Sequence, residues 1–348
     1  MKAYEKDGGG DGSSKDIVDS FLKHQIYLSR FSTYEARKLV TILDNANSLI
    51  KQRILKAKSI DTKAHYGIIA REIRKIMDEA VESLDEQLEL DFTDLADEEI
   101  QFVEKTLSQF TVKADFALPA PKQVWAAASF GPYAGTDGKF TFQKYMDSLG
   151  DNAFNTWDIA CRAAYLSGTP AKSIVKSVLG TINTDGMEPG QVQKLRNSLE
   201  INTKTMVSFM ANEARNAVYK ENSDIISGVV GLSTLDLRCC ITCGTTIDGV
   251  EYSSIAKAPK LPLHPQCRCL WLPKIKGMPE YLPGDERASF QGPVKASLKW
   301  KDWLKTQPDE YAQEILGKSR FERFKKGADV GDFTEDGRVL TLKELAEK

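Results

Sequence analysis

Apolar positions set a helical rhythm over the first third of the chain. Ile17, Phe21 and Leu22, then Leu39, Leu43, Ala46 and Ile50, recur at helical spacing behind Ser14, which stands where an N-cap would begin the segment KDIVDSFLKH. Ile73, Met77, Val81, Leu84 and Leu88 follow at steps of four, four, three and four, one face of a helix. Between residues 15 and 118 the only Gly or Pro is Gly67. The pattern predicts a bundle or hairpin of long helices over 15–118, with Met77, Val81, Leu84 and Leu88 as the face offered to a partner.

Phe116-Ala-Leu-Pro-Ala-Pro121 ends that region, because proline removes a donor and restricts its neighbour. A turn-rich stretch covers 131–140. Shorter helices are expected over 141–148, 152–167 and 170–179, with Thr169 as a cap and Gly180 as a stop, and a longer one from Glu188 or Pro189 to Glu221. Ile225 to Leu235 is β-branched and glycine-punctuated and reads as a strand. Residues 276–295 read as a Pro- and Gly-rich linker, and 296–348 as a small extension of two helices around a hairpin-like GDFTEDGRVLTL. The expected fold class is mostly α, of α+β type: a long-helix region, an α-rich domain over 140–275 ending in a small β, zinc-knuckle unit, and the extension.

Composition narrows the function. With 47 Lys and Arg against 49 Asp and Glu, the formal charge of -2 argues against a basic coat for wholesale nucleic-acid binding. No apolar run approaches the roughly 20 residues of a membrane span. Residues 1–14 are polar and lack the apolar core of a secretory signal, so a flexible tail is expected. Twelve acids and no Lys or Arg lie between Asp78 and Glu104, the pattern of a solvated helix face or of a surface for a basic partner.

The cysteines carry the chemistry. Five of the six, Cys239, Cys240, Cys243, Cys267 and Cys269, fall within 31 positions, and His264 lies among them. Cys240-Ile-Thr-Cys243 and His264-Pro-Gln-Cys267 are two knuckles with twenty residues between them. A tetrahedral zinc ion wants four such donors, and a Cys₃His set closes the coordination sphere, which is the structural type of site. Cys240, Cys243, His264 and Cys267 are therefore the expected zinc ligands, with Cys239 and Cys269 as alternatives. A disulfide such as Cys243–Cys267, or a set of buried thiols without metal, remains open. Lys257, Lys260, Arg268, Lys274 and Lys276 make the surrounding loop basic, so a phosphate contact is a second reading. Catalytic patterns are poor. No G-x-S-x-G, P-loop or H-E-x-x-H is present, and His24 and His65 are remote from His264. No enzyme is expected.

The segment from Ser233 to Pro273 resembles the Mu F-like family of phage head morphogenesis proteins, also called minor head or minor capsid proteins. Asp236 and Arg238 match the family's D-x-R step, Cys240 and Cys243 its knuckle, and Asp248 and Gly249 its turn, with Ile247 in place of leucine. His264, Pro265, Cys267, Arg268 and Cys269 match the closing H-P-x-C-R-C, while Leu261 departs from its first proline and Cys239 is an extra cysteine. Upstream, Asn212-Glu213 stands where the family often carries R-T-E. Downstream, Trp300 to Leu304, Ile315 to Arg320 and Leu340 to Leu345 are similar to an extension found in some members.

The resemblance implies a virion protein built into the head during assembly in the host cytoplasm, at the portal vertex or capsid interior. Its implied partners are portal and capsid proteins, with self-association and a weak contact with packaged DNA, no membrane in the assembly state, and ejection with the genome as in some relatives. Asp236, Arg238 and Asp248 would brace the knuckles. The alternative is a zinc-stabilised nucleic-acid-binding or nuclease module.

Overall fold

The computed structural model describes residues 14–57, 60–111, 115–131, 141–183, 186–277, 286–335 and 337–347. The tail expected over 1–14 lies outside them except for Ser14, and so does the turn-rich stretch over 131–140 except for Gly131. The described part is mostly helical, with small antiparallel sheets.

Two long helices form the body. Helix α1 spans Ser14–Ala57 and α2 spans Lys63–Ser108. Thr62 caps α2, its hydroxyl accepting from the His65 N–H at 3.1 Å. His24–Glu99, Lys38–Asp91 and Arg53–Glu72 pair in reverse order along the two helices, so the hairpin is antiparallel. Helix α3 (Pro121–Phe130) starts on a proline, whose missing N–H costs nothing at a first turn. Helix α4 (Phe142–Ser167) packs on α2 and merges the two short helices expected over 141–167 into one. Asn47 of α1 accepts from the buried Trp157 indole of α4 at 2.8 Å. Helix α5 (Ala171–Leu179) ends at Gly180, which also opens the hairpin of β1 (Gly180–Asn183) and β2 (Gly186–Pro189). A Cβ on Gly180 would lie 2.2 Å from the Glu188 carbonyl oxygen, and its φ is 84°. Helix α6 (Val192–Glu221) starts a few residues later than expected, because Glu188 and Pro189 belong to β2. It lies against both α1 and α2.

The stripe of Met77, Leu84 and Leu88 is not a free partner face. Each is at most 1 % exposed. Half-buried Val81 faces α4, since a Cβ on Gly150 would sit 3.1 Å from a Val81 methyl. The physical reason is that α2 is enclosed by α1, α3, α4 and α6, so its apolar face serves the chain's own core. Its acids divide accordingly. Eight of the twelve between Asp78 and Glu104 are exposed, whereas Glu99 is fully buried on Arg215 of α6 at 2.6 Å, with His24 on its other oxygen. Burial raises the Glu99 carboxyl, but the Arg215 charge, with His24, outweighs it and holds the group below its usual range.

The second region is built from short elements. Strand β3 (Ile226–Leu232) is the centre of a sheet, with β4 (Glu251–Tyr252) on one side and β5 (Leu270–Ile275) on the other, all antiparallel. Helix α7 (Ile241–Thr246) and a 3₁₀ turn at Ile255–Lys257 lie between β3 and β5. Of the linker expected over 276–295, residues 278–285 lie outside the described residues, and 286–295 are instead a hairpin of β6 (Glu286–Ser289) and β7 (Gly292–Lys295). This hairpin rests on α1 and reaches the loop after β3, where the Phe290 N–H donates to the Leu235 carbonyl at 2.8 Å. The extension holds α8 (Trp300–Lys305), α9 (Asp309–Leu316) and α10 (Lys318–Lys325). A 3₁₀ turn (Val330–Phe333), the pair β8 (Thr334–Glu335) and β9 (Arg338–Val339), and α11 (Leu342–Glu347) follow. Three helices thus precede the hairpin-like stretch where one was expected. Among the described residues no helix is long and apolar enough to cross a membrane.

Candidate metal centre

Both knuckles are local turns. Cys240 is the N-cap of α7, and its sulfur accepts from the Cys243 N–H at 3.4 Å. The loop from His264 to Cys267 closes through a Cys267 N–H bond to the His264 carbonyl at 3.1 Å. That turn requires a left-handed residue, and Gln266 supplies it with φ of 60°.

The tertiary fold brings the two turns together. His264 Nε2 lies 3.2 Å from Cys240 Sγ and 3.1 Å from Cys243 Sγ. Cys243 Sγ lies 3.5 Å from Cys267 Sγ. At metal–donor lengths of about 2.3 and 2.0 Å, tetrahedral coordination separates sulfurs by about 3.8 Å and sulfur from nitrogen by about 3.5 Å. The spacing therefore fits donors converging on one small ion. His264 Nδ1 donates to the Pro265 carbonyl at 2.8 Å, and Nε2 faces the two sulfurs as the atom placed to ligate an ion.

The donors form two groups, each with all its atoms within 4.8 Å: Cys240, Cys243 and His264, and Cys243, Cys267 and Cys269. Cys243 belongs to both. Cys267 and Cys269 face the same way because alternate residues of an extended chain share a side. Arg268 between them points elsewhere and grips Asp236 with two bonds, at 2.6 and 2.7 Å. Cys239 is buried but belongs to neither group. All six cysteines are free of disulfides.

The protonation pattern points the same way. Hydrogen bonding from Cys243, helped by His264, pulls the Cys240 thiol down to about 4, against burial. The bonds of His264 to Cys240 and Cys267 push its imidazole up to about 11. Cys267 falls well below the usual thiol range through its bonds to Cys243 and Cys269, and Cys243 rises through its bonds to Cys240 and Cys267. Sulfurs this close cannot all ionise without positive charge among them. Protons supply it here, and a divalent cation would supply it better while freeing every thiolate. These residues could hold a thiophilic metal ion.

The bracing residues divide. Asp236 accepts from Arg268 and from the Arg238 backbone N–H at 2.9 Å, whereas the Arg238 side chain is exposed beside the cluster. Asp248 is a buried hub: it accepts from Ser233 N–H at 2.9 Å, from the Ser233 hydroxyl at 3.0 Å, from Arg287 at 3.0 Å and from Trp300 N–H at 2.7 Å. Gly249 takes φ of 71° and donates its N–H to the Gly231 carbonyl at 2.9 Å. Glu213 lies 3.8 Å from Lys260 rather than at the cluster. Sequence reasoning missed Arg287, which sits in the supposed linker. It also missed buried Thr205 and Ser208 of α6, which bond the second knuckle. Their signal was polar residues on a face that must be buried.

The basic loop is largely engaged within the chain. Lys274 meets Glu251 at 2.5 Å, Arg268 meets Asp236, and Lys276 donates to the Ser223 carbonyl at 3.2 Å. No protein-family model, curated protein or solved structure matches this chain.

Proposed function

We propose that this chain is a structural assembly protein of a phage head, a minor head protein whose compact knob is stapled by zinc. The observation that carries the structural reading is the cluster of thiols and one imidazole, which offers enough protein donors to fill a tetrahedron. Cys240, Cys243 and His264 lie in one group, Cys243 joins Cys267 and Cys269 in a second, and Cys243 and Cys267 are at most 3 % exposed. A site of four protein donors leaves no coordination position for water or substrate, so its ion holds chain segments together rather than activating a reactant. Zinc is the ion of choice for three thiolates and an imidazole in a tetrahedron. The head assignment comes from the resemblance of Ser233–Pro273 to the Mu F-like pattern, and the same segment supplies all four donors.

The nucleic-acid reading receives less support. Three of the loop's cations are tied to acids or a carbonyl. With His264 among the donors, neither remaining histidine is beside the cluster, since the His24 ring pairs with Glu99 and the His65 ring lies 3.8 Å from Asp61.

The test is quantitative mass spectrometry of purified virions and procapsids from the source of this gene, with portal protein as the internal standard. A low copy number, close to portal, in both particles is the expected result. Absence from both would overturn the head assignment. Salt-sensitive retention on DNA by the purified chain would then favour the nucleic-acid module.

A further inference from the structure

Helix α6 carries polar side chains where an apolar face would be expected. Thr205, Ser208, Asn212 and Tyr219 follow at steps of three, four and seven, which places them on one face. None is more than 7 % exposed. Each bonds a backbone atom of the segment from Gln266 to Trp271. Thr205 Oγ1 accepts from Gln266 N–H at 3.0 Å. Ser208 Oγ donates to the Cys267 carbonyl at 2.9 Å, Asn212 Nδ2 reaches the Cys269 carbonyl at 3.4 Å, and Tyr219 donates to the Trp271 carbonyl at 3.1 Å.

The two spacings are similar, and the longer Tyr219 side chain spans the difference. Carbonyls of alternate residues in an extended chain point the same way, so 267, 269 and 271 present one edge. From Cys267 to Trp271 that edge runs about 13 Å. From Ser208 to Tyr219 the helix rises about 16 Å. Helix α6 thus takes the part of a neighbouring strand for this segment. The contact adds to the β3–β5 register and the Arg268–Asp236 fork in setting where the second knuckle lies. Twenty residues separate Cys243 from His264, long enough to let the second knuckle approach the first in many registers.

We propose that Ser208 and Asn212, with Thr205 at the turn, are positioning residues for the metal centre. They fix Cys267 and Cys269 relative to Cys243, and so set the affinity and coordination geometry of the ion and couple its occupancy to the helical body. This rests on the reading of the Cys/His cluster as a metal site.

The test uses the full chain loaded with cobalt(II), whose visible absorption reports tetrahedral thiolate coordination, and zinc affinity from chelator competition. Ser208→Ala should weaken zinc binding about tenfold, the lower end for residues that orient ligands, and shift the cobalt bands. Ser208→Thr should restore both. If Ser208→Ala does not fold, Thr205→Val removes the acceptor for Gln266 at nearly constant volume and is read the same way. Variants that lose thermal stability yet keep the cobalt spectrum and zinc affinity would overturn the proposal. An unmodified chain that binds neither ion would overturn it together with the metal-site reading, a distinct result.

Discussion

The helical body and the cysteine unit stay folded by different means. In the body, α1, α2, α4 and α6 bury long rows of side chains such as Leu39, Leu43, Leu84, Leu88 and Trp157. Each such residue contributes roughly 1.5–3 kcal/mol by leaving water, and the rows are long enough for the sum to dominate. The cysteine unit has strands of two to seven residues and one helix of six. Its apolar layer, with Val229, Ile247 and Trp271, is real but small. Directed contacts supplement it: the donor cluster, the Asp236–Arg268 fork, the Asp248 hub and the α6 hydroxyls. The lesson is that area tolerates loss of one contact, whereas a few directed bonds do not.

Metal removal should separate the two regions most sharply. Chelation, or Cys243→Ser, should take metal content to zero and release hydrogen-exchange protection over 233–275 while α1 and α2 remain protected. Structural zinc is linked to about 10–16 kcal/mol of apparent binding free energy in small domains, far more than any single contact here. Unchanged metal content in Cys243→Ser would show that the donor set is wrong. Equal loss of protection in both regions would break the comparison itself.

The body has a fully buried ion pair of its own, and it offers the converse test. Glu99 and Arg215 are at most 1 % exposed, and both Arg215 terminal nitrogens lack a partner among the described residues. Glu99→Ala strands a buried guanidinium and should cost about 3–5 kcal/mol in chemical denaturation. Glu99→Leu with Arg215→Met should recover most of it, because area then replaces charge. A cost below about 1 kcal/mol for Glu99→Ala would show that the body does not depend on the pair.

The smallest effect concerns pH. Burial raises the Asp236 carboxyl, but the bonds and charge of Arg268, with the Arg238 N–H, hold it below its ordinary value. A depressed carboxyl stabilises the fold above its unfolded pKa, about 3.9, and that stability is lost as pH falls through the lower folded value. Asp236→Asn should therefore cost about 2 kcal/mol at neutral pH, a typical figure for hydrogen bonds to a charged group. The gap between variant and unmodified protein should close only below about pH 4. A constant gap down to pH 2 would show that the fork does not titrate with the fold.

Much of the frame was legible because helical periodicity is a local property. The stripe from Ile73 to Leu88 announced α2, and glycine-punctuated β-branched residues announced β3. What covers the stripe was not legible: an apolar face reads alike whether α4 and α6 or another protein lies on it. Nor was the hairpin of β6 and β7, because Gly292 and Pro293 suit a turn as well as a linker. Arg287, 3 % exposed, is drawn inward by Asp248, 39 positions earlier, and by the Ser233 and Leu298 carbonyls.

The sequence by itself determined the long helices of the body and the central strand, and which residues have the chemistry and local spacing of metal donors. C-x-x-C and H-x-x-C each place two donors within one turn, so the spacing inside each pair is a local property. Only the tertiary structure decided that the two turns meet, that Cys269 faces Cys243 with Cys267, and that Arg268 rather than the Arg238 side chain holds Asp236. Those outcomes depend on contacts across twenty or more positions, where many pairings share the same residues and packing against α6 selects one of them.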